Sequence, residues 1–311
     1  MRSDRFKGYF FALLGTVAFA SEYIFSKAAF SDVHLAQFGV YWFAVCTIAM
    51  LAWSMFRGKL GQLKLLTRKQ VHVLIALGVL EILTATTFYL SIFIIPDPAV
   101  TSFLGNMFPV MLALGGVFVL GERFGPIETA GAAVALLGAF IISYSGETSW
   151  QKFFIPGTGV VVINAIFATI ASLVVKVHVR KISAELLNLN RSVWLLLFSF
   201  VMLFVYGQSL NIPVSALQNI VIGALLGPFI AILALYYSFH YIEASRSSVV
   251  QSLKGIFVLI GAFLFFGTLP LPHQLVGGAI TIAGVLVMTL ARAGFIENYR
   301  FRERFFPKRS R

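Results

Sequence analysis

The chain has 311 residues, of which 59% are hydrophobic and only 12% charged, and its mean hydropathy is +0.90. That composition excludes an ordinary soluble domain and points to a polytopic helical membrane protein. The net charge of +12 would suggest nucleic acid in a soluble chain; here it reads as basic cytoplasmic loops.

Ten apolar stretches predict ten spanning helices, at roughly 8–30, 34–56, 70–95, 98–120, 126–145, 155–178, 185–206, 216–240, 246–267 and 272–291. Met1 to Lys7 is basic and runs into the first stretch with no small-residue cleavage site, so a retained helix is expected rather than a leader. Turns rich in Pro, Gly and charge separate the stretches, among them Pro96-Asp97-Pro98, Gly121-Glu122-Arg123 and Pro270-Leu271-Pro272. With the N-terminus placed in the cytoplasm, the external loops hold only Lys152. Lys27, Lys176, Arg191 and Lys254 fall within or at the edges of spans, and every other Lys and Arg is cytoplasmic. That asymmetry supports N-in and C-in termini. Cys46, the lone cysteine, allows no internal disulfide.

The chain repeats. A shift of 146 residues lays the segment from Pro98 over the segment from Ala244, so that Gly121 meets Gly267, Pro126 meets Pro272, Gly131 meets Gly277 and Gly138 meets Gly284. A shift of 149 lays Lys27 over Lys176. Two five-helix halves are therefore expected, at 1–150 and 151–291, followed by a basic tail at 292–311. Five is odd, so the halves are inverted, which is the architecture of an alternating-access carrier.

Several polar residues interrupt the apolar spans. Lys254 shares the spacing i, i+4, i+7 with Ser247 and Gln251, which predicts one polar stripe on a ninth helix. An intramembrane charge is a functional candidate by default. Glu81 lies at a similar depth in the third span, so a contact between Glu81 and Lys254 is geometrically allowed, either as a structural ion pair or as part of a substrate or proton site. Glu22 lies in the first span toward its external end. Glu22 and Glu81 are the candidates for proton coupling. Asn106, one turn before a mid-span Pro109, is a candidate on a helix expected to kink. Asn164 and Tyr236 are further substrate-binding candidates, with interhelical glue as the alternative. Arg191 is expected to snorkel to the cytoplasmic interface.

No histidine cluster with metal spacing, phosphate-cradling glycine loop or nucleophile setting is evident, so an enzyme is not expected, nor a metal or a cofactor. The expected partners are a small-molecule substrate and, for the basic tail, anionic lipid headgroups. Nucleic acid is not expected, a monomer is, and the location would be a bacterial inner (plasma) membrane.

The small-residue first span ending in Lys27, the run Asn106-Met107-Phe108-Pro109, the Leu120-Gly121-Glu122 closing the fourth span and the small-residue span from Gly131 to Gly138 carry a resemblance. The pattern resembles the drug/metabolite transporter superfamily, specifically EamA-type carriers with ten helices in two repeats, over about 8–291. The second copy has Thr268 where the first has Glu122. The resemblance implies a secondary carrier, an exporter or exchanger, with a central cavity between the first, third, fourth, sixth, eighth and ninth helices. An amino-acid-like metabolite or an organic anion is the expected substrate. The stretch Ser248 to Gly267 also looks like the lysine-bearing helix of sugar-phosphate and nucleotide-sugar carriers, although Gly255 stands where those often have a second basic residue. An antiporter of that kind is one alternative; a membrane channel or lipid-handling protein is another.

Overall fold

The computed structural model describes residues 2–120, 125–146, 153–178, 181–242, 247 and 250–292. Among them the chain forms α1 (Arg2–Ala29), α2 (Leu35–Phe56), α3 (Arg68–Ile94), α4 (Pro98–Gly105), α5 (Met107–Leu120), α6 (Pro126–Ser143), α7 (Thr158–His178), α8 (Ala184–Val205), α9 (Val214–Ala224), α10 (Ile232–Tyr241), α11 (Lys254–Phe266) and α12 (Pro272–Arg292). A 3₁₀ segment, Leu60–Leu65, precedes α3, and a π-helical segment, Leu225–Ala231, joins α9 to α10. Eight helices among the described residues are long and apolar enough to cross a membrane, counting Val214–Ser238 as one; Pro98–Leu112 and Lys254–Phe266 are shorter apolar helices. Exposed side chains such as Ile48, Leu137, Phe204 and Leu264 are apolar, as lipid requires of an outer face. The Gly121–Glu122 motif and the basic tail beyond Arg292 lie outside the described residues, as does the side chain of Lys176.

Local chemistry sets the helix starts. Thr67 Oγ1 accepts from the Gln70 amide while Gln70 Oε1 accepts from the Thr67 amide at 2.8 Å, a capping box that opens α3. Asp97 Oδ1 accepts from the Ala99 amide at 2.7 Å and Pro98 follows at the first helical position, opening α4. Gly267, at φ +67°, closes α11 in the left-handed conformation that glycine adopts freely.

Two spans are interrupted. Pro109 has no amide hydrogen and its ring crowds the carbonyl four residues back, at Gly105. The break accordingly falls at Asn106, whose amide turns back to the Phe103 carbonyl at 3.1 Å. The expected kink is therefore a break one turn before the proline. In the ninth stretch, Ser252 and Leu253 form a turn, and α11 starts only at Lys254. This corrects the expectation of one continuous helix from 246: Gln251 still bonds Ser247 Oγ at 3.2 Å, but Lys254 belongs to the next helix. Pro228 lies inside the π-helical segment, where a missing donor is accommodated by wider winding.

Packing pairs α6 with α12, α2 with α8, α3 with α7, and α1 with the π segment, α10 and α11. The α6–α12 contact is the closest to backbone-on-backbone. A Cβ on Gly131 would lie 2.6 Å from the Met288 amide and 2.8 Å from the Gly284 carbonyl, and one on Gly277 would lie 2.8 Å from the Gly138 carbonyl. Small residues let helices approach this closely where lipid supplies no hydrophobic drive. The main buried cluster joins α1 to α4 with α8, α9 and α11 and includes Trp42, Phe38, Tyr89, Phe103 and Val258. A smaller cluster of Leu74, Leu77, Val175, Ile182, Leu186 and Leu187 packs α3, α7 and α8 together at one end.

Candidate functional site

α1 presents Phe19, Glu22 and Tyr23 at helical spacing i, i+3, i+4. α3 answers with Phe88 and Tyr89. The Tyr23 and Phe88 rings meet edge-on at 5.1 Å, and the Tyr89 hydroxyl donates a short hydrogen bond to Glu22 Oε1. Successive residues of one helix thus face successive residues of the other, giving two adjacent rungs, Tyr23–Phe88 and Glu22–Tyr89.

Lys254, the first residue of α11, reaches the first rung. Its Nζ donates to Tyr23 Oη at 3.2 Å and lies 5.0 Å from the Tyr23 ring centre and 5.3 Å from that of Phe19. Aromatic faces stabilise an ammonium by about 0.5–2 kcal/mol, more as water is excluded. The broken end of α4 arrives at the same hydroxyl: a Cβ on Gly105 would lie 3.2 Å from Tyr23 Oη. Both helix breaks therefore converge on Tyr23.

Glu22 occupies the second rung. It is 2% exposed, and its Oε2 finds no hydrogen-bond partner among the described residues. The carboxyl lies against Gly227 of the π segment, where a Cβ would come within 2.9 Å of Oε2. Arg191 and Lys254 both act on it electrostatically, yet neither bonds it.

Glu81 is held elsewhere. Arg191 Nε donates to Glu81 Oε2 at 2.8 Å, with both side chains largely buried at 11% and 12% exposure. This corrects two expectations. Lys254 bonds Tyr23, not Glu81, because Glu81 faces Arg191 of α8 while Lys254 faces α1. Arg191 does not snorkel, because the partner carboxylate lies inside the bundle. A signal for this was present in the sequence: Asn188, Arg191 and Ser192 make a polar face on α8 among leucines. Asn188 Nδ2 in turn donates to the Pro228 carbonyl at 2.9 Å, tying α8 to the π segment.

The remaining candidates divide. Asn164 Nδ2 donates to the Thr84 carbonyl at 2.7 Å and to Thr87 Oγ1 at 3.2 Å, which joins α7 to α3. Gln251 bonds Ser247, within its own stretch. Tyr236 packs on the smaller cluster near Arg191. Asn106 is buried at the α4 break with its Nδ2 unpartnered among the described residues. Lys27 donates to the carbonyls of Ile92 and Ile95 at 2.8 and 2.7 Å, closing the C-terminal end of α3.

An apolar cavity of about 360 Å³, lined by Met107, Leu136, Phe140, Phe154 and Val162 among others, lies between α4, α5, α6 and α7 and holds none of these charges.

Known proteins resemble this chain in sequence and fold. A "Probable terminal-alkyne amino-acid exporter" of Streptantibioticus cattleyicolor is 27% identical over 189 residues, spanning 60% of this chain and 62% of that relative's length. A solved crystal structure covers 96% of this chain, and all of its own, at TM-score 0.68 with 15% identity, a likeness of fold alone. The model of the EamA-like transporter family matches twice, over residues 6–144 and 155–290. The chain therefore belongs to the EamA-like transporter family.

Proposed function

We propose that this protein is a secondary carrier that exports or exchanges a small polar metabolite, amino-acid-like or an organic anion, by alternating access. The two halves, 1–150 and 151–291, form inverted five-helix repeats, and both termini face the cytoplasm. Support comes from the α6–α12 contact. Under the 146-residue shift, Gly131 corresponds to Gly277 and Gly138 to Gly284; in space Gly131 abuts Gly284 and Gly138 abuts Gly277. Such exchange is what a local two-fold axis produces between equivalent surfaces, and it requires the two helices to run antiparallel. The helix breaks at Asn106 and Ser252 are also 146 residues apart, and broken helices at corresponding places in two halves mark carrier sites.

The observation that carries the reading is Lys254, a buried-side cation at the start of a half-helix whose bonded partner is a neutral hydroxyl. It is placed to take an anionic group of the substrate. The sugar-phosphate alternative is weaker, because Gly255 abuts Phe103 (2.8 Å from a built Cβ) and leaves no room for a second basic side chain.

The purified protein in liposomes should show saturable counterflow of a labelled metabolite. Flux that follows voltage without saturation would instead make it a channel. Cysteine labelling from outside, in a Cys46→Ser background, should modify position 149 and spare position 61; the reverse pattern overturns the orientation.

A further inference from the structure

We infer that the loop between α2 and α3, together with the first residues of α3, is a docking surface for anionic phospholipid headgroups. The inference rests on the membrane-spanning helices and not on what the carrier moves.

The sequence gathers charge of one sign here. Arg57, Lys59, Lys64, Arg68 and Lys69 stand close together, and no Asp or Glu occurs between Asp32 and Glu81. None of the five side chains makes a hydrogen bond or an ion pair among the described residues, and all but Lys59 are fully exposed. Lys181 joins them from the α7–α8 turn. Its carbonyl accepts from Gln62 Nε2 at 3.4 Å and from Gln70 Nε2 at 3.3 Å, and its side chain is exposed. Glu185, the acid that follows it in the chain, is buried and accepts from the Tyr237 hydroxyl at 2.9 Å.

Water alone could satisfy these charges. The apolar residues set among them are the second observation. Phe56 is 80% exposed and Leu65 79%, and Met55 and Leu63 are exposed as well. Met55 and Phe56 close the last turn of α2, and Leu63 and Leu65 belong to the 3₁₀ segment just past the end of that span, where the polar headgroup region begins. Apolar side chains that enter the acyl boundary beside Lys and Arg that meet phosphate are the pattern of interfacial binding. Four or more basic residues next to a spanning helix attract anionic lipid. A soluble polyanion would engage the cations and leave Phe56, Leu63 and Leu65 in water, so lipid is the occupant this surface fits.

The loop is also held in place. Leu60 and Leu66 pack onto the cluster of Leu74, Ile182 and Leu186. Gln62 Oε1 accepts from the Ser183 amide at 3.2 Å. The 3₁₀ segment is thus pinned to the α7–α8 turn, and lipid bound across the loop and Lys181 would hold α3 to α7 and α8 at that end.

The test uses the full-length Cys46→Ser protein with Leu65→Cys carrying an environment-sensitive fluorophore. It is placed in bilayers of phosphatidylcholine, or of equimolar phosphatidylcholine and phosphatidylglycerol. Phosphatidylglycerol should shift the emission to shorter wavelength and raise the Tm. High salt should reverse the shift, because exposed charges are screened. Changing Lys59, Lys64, Arg68 and Lys69 together to Gln should abolish both responses and leave the Tm in phosphatidylcholine unchanged, since those side chains bond nothing in the fold. Changing Arg300, Arg302 and Arg304 of the tail to Gln should leave both responses intact. Equal emission in the two bilayers overturns the inference, and so does a response that the loop variant keeps. An equal shift from inorganic phosphate or RNA added to neutral bilayers also overturns it, because the surface would then take a soluble anion. Where the fourfold variant fails to fold, Lys64→Gln and Arg68→Gln decide singly, each expected to reduce the shift; no reduction in either overturns the inference.

Discussion

Glu81 and Glu22, two of the carboxylates inside this bundle, are treated oppositely. Glu81 bonds a guanidinium from α8 at 2.8 Å. Glu22, on α1, bonds only a tyrosine hydroxyl and keeps one oxygen without a partner among the described residues. A buried ion pair contributes little net stability against an apolar pair of the same shape, yet half of one is costly. Glu81 and Arg191 therefore read as a lock between α3 and α8, one helix from each proposed half. Glu22 is a buried carboxyl that no cation bonds among the described residues, which is the expected condition of a group reserved for something that comes and goes.

The largest expected effect tests the lock. Arg191→Met should cost about 3–5 kcal/mol by stranding Glu81, visible as a lower Tm and poor recovery of monodisperse protein. Arg191→Lys should recover only part of this, since a compact ammonium cannot reproduce the Nε contact of the planar fork. Adding Glu81→Gln to Arg191→Met should restore most of the lost stability. If the double variant is as unstable as the single one, the pair is not the lock described.

Next in size is the functional contrast. Glu22→Gln keeps an acceptor for Tyr89 and replaces a buried carboxyl that no cation bonds among the described residues, so its Tm should equal or exceed that of the wild type. Its transport should change most. If a proton exchanges at either acid, dependence on a pH gradient should disappear in Glu22→Gln and persist in Glu81→Gln made together with Arg191→Met. The opposite result would assign coupling to the lock and undo the comparison. Dependence that survives in both would remove both residues from coupling.

Much of this fold was legible because membrane chemistry writes it plainly. Apolar runs and loop glycines marked the eight long apolar helices, and the 146-residue shift aligned the glycines of α6 with those of α12. That they pack as an exchanged pair, Gly131 on Gly284, needed the structure, since a shift gives correspondence and not contact. Site residues were legible one at a time: Lys254, Glu22, Glu81 and Asn106 stand out against apolar neighbours. Their partners were not. Counting residues from a helix end estimates depth alone, while rotation about each helix axis is set by packing that no single span records. Arg191 was misplaced for a related reason. Closeness to a helix end suggested the interface, while the polar face it shares with Asn188 pointed inward. The break at Ser252 had no proline to announce it; Gly255 stands three residues on, where Pro109 follows Asn106, and only that correspondence could have suggested it.

The smallest expected effect concerns a third acid, outside the spans and intermediate between the other two. Asp97 is half-buried at the start of α4. Burial lifts its carboxyl above the ordinary carboxylate range, against the opposing pull of the Ala99 and Val100 amides and the Lys27 charge. The folded state therefore favours the protonated form. Its contribution to stability is fully present below the unfolded value, about pH 3.9, and is lost as pH rises through the raised folded value. Asp97→Asn keeps an equally good N-cap and cannot ionise. The Tm difference between the wild type and Asp97→Asn should therefore move in favour of Asn between about pH 4 and pH 7. Asp97→Ala should lose about 1 kcal/mol with its cap across the same range. A constant difference between wild type and Asn would mean that Lys27 and the two amides neutralise Asp97 as fully as Arg191 neutralises Glu81, and the acids would then divide into paired and unpaired with nothing between.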